Sequence, residues 1–374
     1  MPSAAKPAAH LGGWQHLLLR LERWRRWEFW PGWLFYFPVV LWILALGLRH
    51  RHWTAFTACN PGMDNGSVVG ERKSRTLLAL QERLPHSLPA TVLLSPDVDA
   101  AARQIEALVK THGWPVVLKP DIGQRGRGVA IIHDAAAAKR YLNRANFAVL
   151  AQAYVGGDEY GVFVQRDQPG GCIRVSSLTH KHLPSLTGDG VRTLAELILA
   201  DPRGRLMAPI LWRQWAQQLQ RTPAALEVIP LAQIGAHCRG AEFRSAQHLR
   251  SPALTQSMQQ VCDAIPGFDF GRIDLRCPSA QALQQGRDLQ VLEVNGVTSE
   301  PAHVYHPGTA YWHGLRTFAQ HWSQAFRLGH MRLTAGSHQA LSPWRLLQLF
   351  RTDLKRFTDC EAAAAAAQPT QHLH

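Results

Sequence analysis

Gly271–Cys277, GRIDLRC, and Leu289–Gly296, LQVLEVNG, are the stretches on which the reading of this chain turns. Both alternate polar and apolar side chains with the period of two of a β-strand. Arg272 and Asp274 are two residues apart and so share a face, as do Glu293 and Asn295. Ile273, Leu275, Leu292 and Val294 are left for the opposite, core-facing side. A polar connection containing SAQALQQGRD (279–288) joins the two stretches. If the strands pair, Asp274, Glu293 and Asn295 converge as hard oxygen donors, the chemistry Mg²⁺ requires. An ordinary surface sheet explains the alternation, but not a carboxylate pair, an asparagine and an arginine at those positions.

Upstream, VVLKPDIGQRGRGVAII (116–132) places Lys119 at the end of a strand, with Gly123, Gly126 and Gly128 in the turn to a second strand. Glycines let backbone N–H groups approach a phosphate, and a lysine supplies a point charge. The Walker pattern is excluded, because no G-K-[ST] opens a helix here. A dinucleotide fingerprint is excluded too, because a strand follows the glycines. Taken alone, the loop is equally a plain Gly-rich hairpin.

Helical patterns are expected near Lys73–Arg83, Ala100–His112, Ala135–Leu142, TLAELIL (193–199) and Met258–Ala264. Strands are expected between them, which gives an α/β or α+β chain. WRLLQLFRTDLKRF (344–357) is basic and amphipathic, and the closing EAAAAAAQPTQHLH is expected to fray.

The first fifty residues are of a different kind. Seven of the chain's 13 tryptophans lie within residues 1–53. Trp30–Leu48 runs without a charge, and about 20 apolar residues suffice to span hydrocarbon. Before it, Trp14, Leu17, Leu18, Leu21 and Trp24 recur at helical spacing among Arg20, Arg23, Arg25 and Arg26, the pattern of a basic amphipathic helix on an anionic membrane surface. Pro38 is expected to kink or break a helix there. Arginines on both sides leave orientation open, and whether the run spans or dips in stays open with it. No cleavage site follows, which argues against a signal peptide. Because every candidate site residue lies elsewhere, residues 1–52 read as a detachable anchor; the other reading of the apolar run is a buried hairpin packed on the main domain.

The chain has 374 residues, 40 Lys and Arg against 27 Asp and Glu, and a net charge of +13. Hydrophobic residues make up 46%, which excludes a disordered or collagen-like chain. The charge excess calls for an anionic partner. Its clustering beside the apolar run favours an anionic membrane surface, and no nucleic acid is expected. Six scattered cysteines match neither a zinc site nor a disulfide framework.

Taken in order, Lys119 with its Gly-rich hairpin, QAYVGGDE (Gln152–Glu159), Arg272-x-Asp274 and Glu293-x-Asn295 resemble the ATP-grasp superfamily. The resemblance runs from about Lys73 to Trp322. RID and LEVN are similar to D-alanine–D-alanine ligase, and LTGDGVRTLAELI (Leu186–Ile198) looks like cyanophycin synthetase. It implies an ATP-grasp fold, two α+β lobes gripping nucleotide. With the composition of the two ends, the expected organisation is a basic amphipathic helix and apolar membrane-associated segment at 1–53, a reduced region at 54–112, the grasp domain at 113–326, and a basic amphipathic extension with a low-complexity tail at 327–374.

The implied activity is a carbon–nitrogen ligase that joins an amino-acid or peptide-like carboxylate to an amine through an acyl phosphate, using ATP and Mg²⁺, expected as two ions. By that resemblance, Lys119 and, more loosely, Lys73 contact nucleotide phosphate. Gln152, Ala153, Tyr154 and Val155 lie along the adenine and Glu159 meets the ribose. Asp274, Glu293 and Asn295 hold metal, and Arg272 stabilises charge on the transferred group. Gly296 offers an N–H to an oxyanion. Thr298–Gly308 follows the metal strand, which makes Glu300 and His303 substrate candidates. Among the histidines, His180, His182 and His237 stand nearest to a substrate role. Use of ATP places the domain in the cytoplasm. The other reading is a nucleotide-binding regulatory protein of the same fold without ligase activity.

Overall fold

The computed structural model describes residues 13–232, 234–236 and 239–367. Its helices are α1 (Gly13–Arg25), α2 (Gly32–Arg49), α3 (Lys73–Arg83), α4 (Val98–His112), α5 (Ala135–Arg144), α6 (Leu194–Ala200), α7 (Pro202–Gln214), α8 (Pro252–Ala264), α9 (Ala280–Gln285), α10 (Tyr311–Thr334) and α11 (Pro343–Ala367). Its strands are β1 (Thr91–Leu93), β2 (Val116–Pro120), β3 (Ala130–Ile132), β4 (Val149–Ala153), β5 (Asp158–Arg166), β6 (Ile173–His182), β7 (Ser185–Thr187), β8 (Val228–Pro230), β9 (Glu242–Ser245), β10 (Phe270–Cys277) and β11 (Gln290–Asn295).

The strands form two main antiparallel sheets, ordered β1-β4-β2-β3 and β11-β10-β5-β6-β9, with β7 and β8 paired separately. The first sheet packs on α4 and α5, whose Ile105, Leu108, Tyr141 and Leu142 are buried with Leu118 and Ile132. The second packs on α8, where Leu254, Met258 and Val261 meet Val162, Leu178 and Ile273. One chain crossing, from Ala153 at the end of β4 to Asp158 at the start of β5, carries the backbone from one sheet to the other. Local chemistry fixes several helix starts. Thr193 and Glu196 close a reciprocal capping box on α6, and Asp97, Asp134 and Ser251 cap α4, α5 and α8.

Four sequence expectations change here. The boundary at 112/113 falls inside one sheet, since β1 pairs with β4, and α10 runs across 326/327. The alanine tail does not fray before residue 367: it continues α11, with Ala363 and Ala367 buried against the first sheet's core. Helix α2 continues through Pro38, well past its first turn, because packing on α10 holds it on both sides of the proline, through Phe35 before and Trp42 after. Most consequentially, α2 is no detached anchor. Phe35, Val39 and Leu46 are buried, Phe35 stacks edge-on against Phe318 of α10, and the Trp42 indole donates to the Ala319 carbonyl at 3.1 Å. The side chains of Trp14, Leu17 and Leu18, His237, and residues 368–374 lie outside the described residues.

Candidate active site

β10 lies between β11 and β5, so its polar face is flanked on both sides. In the β10–β11 register Asp274 stands opposite Glu293 and Arg272 opposite Asn295. The four chemistry-bearing side chains anticipated from the sequence are therefore cross-strand neighbours on one face. The register shifts just beyond Asp274, so Leu275 pairs with Val291 and Leu292 is the extra residue of a bulge. Leu292 is thereby turned from the expected core side to the cavity wall, and Val291 takes its place in the core.

Across from this face stands the end of the first sheet. Lys119 on β2 and Gln152 on β4 are both buried, and the Lys119 ammonium donates to Gln152 Oε1 at 2.9 Å. It also donates to the Leu292 carbonyl at 2.9 Å, linking the two sheets directly. Between them is a cavity of about 390 Å³. Burial pushes the Lys119 ammonium down to about 8, against the pull of Glu293.

The cavity floor is a chain of ion pairs. Arg272 grips Asp274 with two hydrogen bonds, Nε at 2.7 Å and Nη2 at 3.1 Å. Lys181, on β6, bridges Asp274 and Glu159 at 3.0 Å each. Arg276 donates to the other Glu159 oxygen at 3.1 Å, to the Val155 carbonyl at 2.6 Å, and lies over the Tyr154 ring. Burial works to raise Asp274, but Arg272 and Lys181 outweigh it and hold the carboxyl below its ordinary range. Burial likewise works to lower Lys181, and Asp274 and Glu159 overcome it. Five cationic side chains and four carboxylates line the cavity. One of those carboxylates, Glu300, is pushed up to about 7 by burial. The surplus is positive and suits a polyanion.

The other anticipated residues divide. Gly126, Ala153, Tyr154, Val155 and Glu300 line the cavity, whereas Gly123, Gly128, Lys73, Gly296 and His303 do not. Lys73 stands behind Glu293, paired to it at 3.2 Å. The Gly296 N–H faces the Glu71 carboxyl at 3.5 Å, and Ser67 packs where a Gly296 Cβ would be. His303 is buried with its Nδ1 2.7 Å from Ser177 Oγ, and burial lowers it to about 4. His180 stacks on Tyr160, and neither it nor His182 lines the cavity.

Sequence reasoning missed Lys181, Arg276, Glu71, Tyr305 and Tyr36. Glu71 is pushed up to about 8 by burial, with Lys73 opposing. The Tyr305 hydroxyl donates to Glu300 Oε2 at 2.7 Å and meets the Tyr36 hydroxyl at 3.2 Å. Tyr36 belongs to α2 and lines the cavity.

Among the described residues no group of three His, Cys, Asp or Glu side chains is gathered as a metal site. The oxygen set of Asp274, Glu293 and Asn295 nevertheless fits a hard divalent cation. It already draws positive charge, with Arg272 and Lys181 on Asp274 and Lys73 on Glu293.

No family model and no curated protein matches this sequence. Among solved structures, the chain is similar to a bifunctional glutathione synthetase from Pasteurella multocida, at 18% identity over 66% of this chain and 35% of that one, TM-score 0.36. It is similar to the VanG D-Ala:D-Ser ligase from Enterococcus faecalis at 15% identity, over 69% and 61% of the two chains, TM-score 0.38. A D-alanine–D-alanine ligase from Bacillus anthracis matches at 12% identity, over 71% and 69%, TM-score 0.37. The chain thus spans about a third of the length of the first of these and about three-fifths of the second.

Proposed function

We propose that this chain is a membrane-associated ligase of the ATP-grasp type, which uses ATP and Mg²⁺ to join a carboxylate to an amine through an acyl phosphate. The observation that carries the reading is the meeting of two sheet ends. Lys119 and Gln152 from one, and Arg272, Asp274, Glu293 and Asn295 from the other, face a single cation-rich cavity. Phosphoryl transfer asks a protein chiefly for positioning and for charge around the transferred group. This cavity offers both, and no catalytic nucleophile is needed.

In this reading Lys119 serves the nucleotide phosphates, Lys73 acts only from behind Glu293, and Gln152 to Val155, from the end of β4 into the crossing between the sheets, border the base. Glu159, held by Lys181 and Arg276, is presented to the sugar. Asp274, Glu293 and Asn295 would hold Mg²⁺, which neutralises phosphate charge when bound. Arg272, fixed by its paired bonds to Asp274, stands where negative charge develops on the transferred phosphoryl group. Glu300 and Tyr305 occupy the side of the cavity toward α2, where the acid and amine would lie. Calorimetry of ATP into the full-length protein with and without Mg²⁺ tests the nucleotide site, and ADP release with pooled amino acids and peptides tests the ligase.

A further inference from the structure

Helix α2 is apolar all round, a composition normally found in helices covered on every side. Here only one side is covered. Phe35, Val39 and Leu46 point into the protein, while Trp33, Phe37, Val40, Leu41, Leu44 and Leu48 are exposed on the opposite side, Trp33 at 72% and Leu48 at 65%. Exposed apolar side chains contiguous over a whole helix mark a surface that something else covers. Arg20 and Arg25 before it, and Arg49 and Arg51 after it, are also exposed. The cover that accepts both aromatics and flanking arginines is an anionic lipid surface.

How the helix meets that surface follows from its neighbour. α2 runs alongside α10 for its whole length: Phe35 contacts Phe318, Trp42 reaches Ala319 and Ser323, and His50 stacks on Phe326. α10 exposes Arg316 and Arg327. To cross a bilayer, α2 would have to separate from α10 or carry those arginines into hydrocarbon, where each costs several kcal/mol by insertion scales and more by other measures. Its 18 residues also extend only about 27 Å, short of the hydrocarbon thickness of about 30 Å.

We propose that the exposed face of α2 lies in the plane of an anionic lipid leaflet, docked without crossing it. The inference deepens the membrane association proposed above and stands apart from the ligase chemistry. Tyr36 belongs to the same helix and lines the cavity, so docking sets the active-site wall against the leaflet.

The test uses full-length protein and two kinds of vesicle, phosphatidylcholine alone and phosphatidylcholine with 30% phosphatidylglycerol. Flotation is expected with the anionic vesicles and at least tenfold less with the neutral ones. The Trp33→Glu/Phe37→Glu variant is expected to lose flotation at least tenfold. Its ATP turnover, assayed without vesicles, should match the wild type, which separates this inference from the ligase reading. Nitroxides at positions 33 and 48, in a chain with Cys172→Ser and Cys238→Ser, are expected to report equal depths below the lipid phosphates. A depth difference of about 20 Å would show that the helix spans. Equal flotation with both vesicles would remove the anionic requirement. No flotation, with a concentration-dependent dimer that the double variant abolishes, would give the face to a second copy of the chain.

Discussion

Tyr36 on the apolar helix α2 and Tyr305 on the segment after β11 are joined hydroxyl to hydroxyl at 3.2 Å. Through Tyr305 this link reaches Glu300 on the cavity wall. A segment whose sequence reads as an anchor therefore completes the pocket.

Deleting residues 1–52 is thus expected to do more than release the protein from membranes. Loss of Phe35, Val39 and Leu46 removes roughly 5–9 kcal/mol of apolar burial, as much as many domains have in total. The truncated chain should aggregate or melt far below the intact one in a thermal scan. A soluble fragment with full turnover would restore the detachable-anchor view.

The single substitution Tyr36→Phe keeps that packing and removes only the hydroxyl. We expect an unchanged melting temperature and a KM for the carboxylate or amine substrate raised about three- to tenfold, the worth of one hydrogen bond. A change in ATP affinity with substrate KM untouched would place Tyr36 in the nucleotide site.

Lys181→Met leaves Asp274 and Glu159 buried with one cation fewer each. A cost of about 3 kcal/mol in urea unfolding at neutral pH is expected. Lys181 helps keep Asp274 ionised, so its stabilisation is present above the ordinary carboxylate pKa and fades as pH falls through the lowered folded value. The difference between variant and wild type should therefore shrink in acid. An equal cost at every pH would indicate lost packing alone.

Lys119 carries a signature in proton uptake. Its ammonium lies at about 8 in the free cavity, so between pH 8 and the unperturbed value near 10.4 the free protein has largely lost that proton. A bound polyanion favours the charged form, so ATP binding should take up a proton in this window and weaken as pH rises above about 8. Calorimetry at pH 8.5 in buffers of different ionisation enthalpy reads the uptake directly. The Lys119→Met variant should show none.

The fold's local pieces were largely legible in the chain. α3 begins and ends at Lys73 and Arg83 as its spacing predicts, and β10 and β11 alternate as expected apart from the bulge at Leu292. What was hidden depends on sheet order. Lys181 sits in THKH, where the flanking His180 and His182 draw the attention, and it becomes a bridge only because β6 lies beside β5, and β5 beside β10. Tyr36 was hidden because an uncharged aromatic run looks alike whether it faces lipid or protein. Gly296 and His303 were placed by proximity in sequence to Asn295, and packing of Ser67 and Ser177 turns them elsewhere.

Glu293 offers the most direct test of the central claim, because it faces Asp274 across the strands and is only partly buried, paired to Lys73. Full-length wild type and Glu293→Gln would be incubated with Mg-ATP and pooled amino acids and peptides, and ADP and phosphate followed with time. The account predicts substrate-dependent ADP release by the wild type, reduced by roughly two orders of magnitude or more in Glu293→Gln, with melting temperatures within a few degrees. ADP release equal in the two proteins, or no Mg-ATP binding by the wild type, would contradict it.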